Sequence, residues 1–147
     1  MIDIRHRIGI NAPQDQVLQA VSTIDGIGSW WTTYASGDAA PGGKMDFGFG
    51  SKYRHLTLET VEVTPDRVEW RCIEGPDEWM PTRFSFDLTH DDGETVVMFA
   101  QSGWTEEVPF TAHCSLKWAS YLLSLKQLVE DGEGAPFPRD LHISSWD

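Results

Sequence analysis

The chain has 147 residues and a formal net charge of -12. That charge excludes the basic face needed to hold a nucleic acid or an anionic membrane surface. Its 40% hydrophobic content suits a globular protein, and a chain this long buries roughly 70% of its unfolded surface, so it needs no disulfide or metal staple. Cys72 and Cys114 are too far apart to form a CxxC pair, and they are expected to be small apolar core fillers. His6, His55, His90, His113 and His142 are scattered without metal-ligand spacing, so neither a metal nor a cofactor is expected. The charge-alternating N-terminus does not resemble a signal peptide, and no apolar run reaches the ~18 residues of a membrane span. A cytoplasmic location is the expectation.

Ile2, Ile4, Ile8 and Ile10 alternate with polar residues, which predicts a half-buried first strand with His6 on its apolar face. Asn11-Ala12-Pro13 stops that strand and starts a helix with Val17, Leu18 and Val21 on one side. Asp25-Gly26 breaks it, and a short second helix or turn leads into Trp30-Trp31. Met45, Phe47 and Phe49 alternate next, then Leu56 and Leu58. A shift of phase to Val61 and Val63 predicts a bulge near Glu59-Thr60. Val68, Trp70 and Cys72 form the inward face of the following strand. Gly75-Pro76-Asp77 opens a loop holding Trp79 and Met80. Phe84, Phe86 and Leu88 alternate again, and Asp91-Asp92-Gly93 is a hairpin turn before a strand from Thr95 to Gln101. The period then changes. Phe110, Cys114, Trp118, Tyr121, Leu122, Leu125, Leu128 and Val129 recur at three and four, as on one face of a long amphipathic helix with Gly132 as its cap.

These elements predict an α+β fold in which an antiparallel sheet of six to seven strands wraps around the long C-terminal helix, with two short helices after the first strand. The helix is the only long element available to cover the apolar face of the meander. Residues 1–134 form the domain, and residues 135–147 are a tail packed on it. Ile8-Gly9-Ile10-Asn11-Ala12-Pro13 with Val17 resembles the N-terminal signature of the START-like superfamily, also called SRPBCC, which includes birch pollen allergen. Asp25-Gly26-Ile27 with Trp30-Trp31 and Gly42-Gly43 resembles the branch related to the C-terminal domain of the activator of heat-shock protein 90 ATPase. Trp118, Leu122 and Leu125 with the ending Glu130-Asp131-Gly132-Glu133-Gly134 are similar to the same branch. The resemblance spans nearly the whole chain and implies a cavity between sheet and helix that takes apolar small molecules. The superfamily includes lipid carriers, polyketide cyclases and chaperone regulators, so the fold leaves the function open.

The function expected is binding of an apolar or aromatic small molecule in that cavity. Its walls are drawn from inward positions: Trp31, Phe47, Phe49, Leu58, Trp70, Phe84, Phe86, Met98, Trp104, Trp118 and Leu122, with His6 as a polar anchor. A His on an apolar strand face is more often a hydrogen-bonded structural group. No catalytic motif is readable. Gly48-Phe49-Gly50-Ser51-Lys52 lacks the spacing of a phosphate loop, and no GxSxG elbow occurs. A cyclase- or aromatase-like enzyme is the alternative, drawing on His6, Arg83, Tyr53 and Asp46 for proton transfer. An interaction protein like the chaperone-ATPase activator is another. Leu116 and Leu123 lie opposite the main stripe of the long helix and need cover. The adjacent tail is preferred for that role, and a homodimer partner is the alternative. Adjacent tryptophans diverge by roughly 100° in a helix or 180° in a strand. One of Trp30 and Trp31 is therefore expected in the core and the other, Trp31, at the cavity entrance.

Overall fold

The computed structural model describes residues 1–50 and 55–147. Eleven elements follow in chain order: β1 (Ile2–Ile10), α1 (Gln14–Ser22), α2 (Ile24–Gly28), β2 (Ala35–Gly37), β3 (Lys44–Phe47), β4 (Leu56–Thr64), β5 (Arg67–Glu74), a 3-10 turn (Asp77–Trp79), β6 (Arg83–Asp91), β7 (Glu94–Trp104) and α3 (Pro109–Asp131). The strands form one antiparallel seven-stranded sheet in the order β1-β7-β6-β5-β4-β3-β2. The meander pairs sequential neighbours, and β1 closes onto the last strand. This is the helix-grip arrangement expected from the sequence.

Local chemistry sets the turns. Asp92 and Gly93 both have positive φ, at 50° and 82°, the backbone that joins twisted strands through two residues. The β4–β5 register shifts twice, between Thr57 and Leu58 and, near the expected position, between Thr60 and Glu62. There Val61 is left 38% exposed while Val63 packs on the core. The helix break lies at Thr23, two residues before Asp25-Gly26. Thr23 is extended, and its hydroxyl accepts from the Gly26 N–H, so both of those residues sit inside α2. Gly132 caps α3 in the left-handed region, with φ 89° and its N–H on the Leu128 carbonyl, where a side chain would be strained.

The concave face of the sheet is apolar. Register sets Trp70 opposite Phe84, Val68 opposite Phe86, and Phe86 opposite Phe99, so large side chains stack across strands. Cys114, Trp118, Tyr121, Leu122 and Leu125 of α3 complete this core. The outer face is ionic, with Arg67 on Asp87 at 2.6 Å, Arg83 on Glu69 at 2.8 Å and Arg71 on Glu59 at 2.5 Å. Pairs this exposed add little stability; they mark the solvent side. Met98 belongs to that side. Its register partners are Arg7 and Asp87, so it points away from the interior in which the sequence set it.

The tail does not cover Leu116 and Leu123, each 58% exposed. It runs along the other flank of α3. Lys117 donates to the Leu141 carbonyl, Tyr121 donates to Asp140, and His113 meets the Ser144 hydroxyl. Lys117 holds the tail to that side by ion pairs with Asp140 and Asp147.

Candidate functional site

The tryptophan pair shows how core and site meet. The N–H groups of Trp30 and Trp31 both lie on the Ile27 carbonyl, at 3.3 and 2.9 Å. The chain is turning at that point, so the divergence of a regular helix or strand does not apply. The two indoles stack 6.2 Å apart with planes 20° from parallel, and both are buried. Trp30 is fixed by its indole N–H on the Ala20 carbonyl at 2.8 Å. Trp31 is a hub, with Phe47 at 4.7 Å, Trp118 at 5.1 Å, Phe49 at 5.2 Å and Trp70 at 5.8 Å between ring centroids.

A cavity of about 300 Å³ opens beside this hub. Its inner wall is Trp31, Phe49, Trp118 and Tyr121. Trp79 of the 3-10 turn lines another side, stacked on Trp118 at 6.2 Å with planes 21° apart. Phe110, Cys114 and Lys117 contribute from α3, and His55 with Leu56 from the start of β4. The outer wall is the tail, through Phe137, Asp140, Trp146 and Asp147. Phe110, His113 and Trp146 form a ring cluster at that rim.

Charge in the wall is concentrated on one lysine. Lys117 Nζ lies 2.7 Å from Asp140 and 2.7 Å from Asp147. Burial pushes the Asp147 carboxyl up, but Lys117 and the backbone N–H groups of Ile143 and Ser144 outweigh it and hold the group at about 2. Burial, reinforced by the Asp140 carboxylate, pushes the Tyr121 hydroxyl far above its ordinary value. Burial also raises Cys114 to about 12, with the Trp79 side chain opposing and Glu78 adding to the shift. The Trp79 indole N–H itself makes no hydrogen bond of ordinary geometry. Cys72 is raised to about 11 by burial. Neither thiol is an activated nucleophile.

Three residues expected at the ligand, Trp31, Phe49 and Trp118, line this cavity. Phe47, Leu58, Trp70, Phe84, Phe86, Trp104 and Leu122 are instead packed in the closed core, and Met98 is on the outer face. The reason is common to the seven. The middle of the grip is filled ring against ring, as Trp70 on Phe86 at 4.9 Å shows, and the cavity beside Trp31 and Trp118 lies toward the tail. His6 is at the β1–α3 seam, its Nε2 3.0 Å from the Ser115 carbonyl oxygen and 3.3 Å from the Ser115 hydroxyl. The proton-transfer candidates are dispersed. Arg83 is paired with Glu69 on the outer face, Asp46 accepts from the Thr57 hydroxyl, and Tyr53 lies outside the described residues, as do Ser51 and Lys52. Among the described residues no three His, Cys, Asp or Glu side chains converge as metal ligands. Among the described residues no helix is long and apolar enough to cross a membrane.

Sequence reasoning missed the polar rim: Lys117, Asp140, His142 and Asp147. One signal was available. His113, Lys117 and Tyr121 recur every four residues beside the apolar stripe, a polar line on a helix flank that needs a partner. Gln101 was missed too. It is fully buried on the concave face, where its side-chain carbonyl accepts from the Trp118 indole at 2.9 Å and its amide donates to Thr82 at 3.1 Å. It thereby fixes the ring that divides core from cavity.

Comparison with known proteins agrees with this architecture. Residues 11–130 match the family described as activator of Hsp90 ATPase homolog 1-like protein. The Aha1 dimer from Colwellia psychrerythraea, solved in solution, is 39% identical with a TM-score of 0.82, over 91% of this chain and 100% of that one. CalU16 from Micromonospora echinospora shares the fold at 18% identity and a TM-score of 0.71, over 91% of this chain and 77% of that one. DynU16, from the dynemicin biosynthetic locus, does so at 20% and 0.73, over 92% and 49%. No curated protein matches the sequence. With a match over most of its length and a relative this similar across the whole fold, the chain belongs to the activator of Hsp90 ATPase homolog 1-like family, a branch of the START-like superfamily.

Proposed function

We propose that this protein binds a compact apolar or aromatic small molecule in the cavity between α3, the 3-10 turn and the C-terminal tail. The observation that carries this reading is the cavity itself: about 300 Å³ walled by Trp31, Phe49, Trp79 and Trp118 beside a core that is otherwise closed. Small-molecule sites are concave, mostly apolar and carry a few polar groups that orient the ligand. Here Lys117, Asp140 and Asp147 would do so. Binding is favoured over catalysis because the proton-transfer candidates in the described residues are spread over separate faces, and Lys117, Tyr121, Asp140 and Asp147 at the cavity are engaged with one another. The neutral fluorophore N-phenyl-1-naphthylamine tests it. Its emission should rise and shift to the blue on saturable binding, and Trp118→Ala should weaken binding by at least tenfold. A non-saturable response would remove the cavity as a site. Native mass spectrometry of protein taken from cell extract would then give the mass of the natural ligand.

A second reading, self-association, is favoured by a separate observation. Leu116 and Leu123 stand exposed on α3 without cover, and the 39% identical Colwellia relative is described as a dimer. Sedimentation equilibrium between about 5 and 500 µM checks it, that span bracketing the micromolar affinities expected of small interfaces.

A further inference from the structure

The exposed leucines belong to a longer pattern, and the inference drawn from it rests on the self-association reading. We propose that two copies of the chain pair through α3 in antiparallel, two-fold fashion, with Ala112, Leu116, Ala119 and Leu123 as the seam. These residues recur at spacings of four, three and four, so at 3.6 residues per turn they fall within an arc of roughly 60°. Ala112 is exposed, Leu116 and Leu123 are each 58% exposed, and Ala119 is half-buried. The arc points away from Cys114, Trp118, Leu122 and Leu125, which face the core. It also avoids the flank held by the tail, whose contacts run through His113, Lys117 and Tyr121.

The order of sizes along the seam fixes the arrangement. Lay a second copy antiparallel so that Leu116 meets the partner's Ala119. Ala112 then meets the partner's Leu123, and two-fold symmetry repeats both pairs. Every leucine sits over an alanine, so knobs find holes and the backbones approach closely. In a parallel arrangement in register, leucine would layer on leucine and alanine on alanine, and the alanine layers would leave gaps that the antiparallel pairing fills. Ser115 and Ser120 flank the seam and do not hold the helices apart. Their hydroxyls already have partners within their own chain, His6 Nε2 at 3.3 Å and the Lys117 carbonyl at 2.8 Å, so covering them strands no polar group.

Size and charge set the strength. The seam runs from residue 112 to residue 123, about 18 Å of helix at 1.5 Å per residue. A strip of that length and about 10 Å wide covers a few hundred Å², below the roughly 1,200–2,000 Å² of a stable specific interface, so the dimer is weak, of micromolar strength. Each copy carries -12, and salt that screens this repulsion strengthens the pair.

The experiment uses sedimentation equilibrium and cysteine cross-linking on the full chain. The wild type should dimerise in the micromolar range, more tightly at 0.5 M than at 0.05 M salt. The double variant Leu116→Glu, Leu123→Glu should weaken the dimer at least tenfold with an unchanged circular dichroism spectrum, since both side chains are mostly in water. The double variant Ala112→Cys, Leu123→Cys should oxidise to a covalent dimer. Ala112→Cys alone should not, because the two copies of residue 112 would be roughly 16 Å apart; native Cys72 and Cys114 are buried. A wild type that stays monomeric overturns self-association and this inference with it. A dimer that survives the glutamates leaves self-association standing and removes α3 as its face. A disulfide from Ala112→Cys alone overturns the antiparallel register.

Discussion

Replacing Lys117 by Met tests whether one cation clasps the tail to α3. The substitution keeps most of the apolar stem and removes the charge from between Asp140 and Asp147. The side chains of Lys117, Asp140 and Asp147 are 14%, 10% and 15% exposed, and the lysine also serves the Leu141 carbonyl at 2.6 Å. Removing one partner costs roughly 3–5 kcal/mol from a fully buried pair and about 0–1 kcal/mol from an exposed one. This largely covered pair should lose about 2–3 kcal/mol at pH 7. For a domain of this length that lowers Tm by about 5–10 °C. The sign with pH follows from Asp147, whose carboxyl is held at about 2 against an ordinary 3.8. A depressed carboxyl contributes stability in full above its unfolded value, and the contribution is lost as pH falls from about 4 through 2. The gap in Tm between wild type and Lys117→Met should therefore be widest near neutrality and close toward pH 2. Thermal unfolding followed by near-ultraviolet circular dichroism from pH 2 to 8 measures it. A gap that stays constant with pH would refute the ion-pair account, and no gap at pH 7 would refute the clasp.

Gln101→Leu should cost about 1–3 kcal/mol, read as a lower denaturant midpoint, because it orphans the Trp118 N–H in a buried setting, whereas the Thr82 hydroxyl keeps its bond to the Trp79 carbonyl. An unchanged midpoint would mean that Trp118 is held by packing alone. Cys72 and Cys114, raised to about 11 and about 12, should react with a disulfide reagent at pH 8 at least a hundredfold more slowly in the native protein than in denaturant; equal rates would contradict their burial.

The strands and the long helix were legible because burial is one-sided in each. Phe84, Phe86 and Leu88 alternate since the sheet has one wet face, and Cys114, Trp118, Tyr121 and Leu125 recur as a helix stripe since only one flank meets the core. Phase failed where both faces carry apolar side chains. Val96, Val97, Met98 and Phe99 form an unbroken run, with Val96 on the outer side nevertheless 2% exposed, so nothing in the string marks Met98 as outward. The tail's course was illegible for another reason. It has no period, and its position depends on a few polar contacts to residues far earlier in the chain, such as Lys117 with Asp147.

The least legible feature was the boundary between core and cavity. Trp31, Trp70 and Trp118 are equally apolar, equally inward and all nearly inaccessible, yet only Trp31 and Trp118 also face open volume. Both are held on their inner side by rings and, for Trp118, by Gln101; on their outer side the next layer is the tail. A ring becomes a cavity wall here because the layer above it is a segment held at a few points, by Phe137 on Phe49 and Tyr34, by Trp146 on Phe110 and by the ion pairs of Lys117, rather than packed along its whole length. That property belongs to residues 137–147, not to the tryptophans. Trp30 and Trp31 thus divide by what lies above them: Trp30 is capped by its bond to the Ala20 carbonyl, and Trp31 faces the space the tail leaves open.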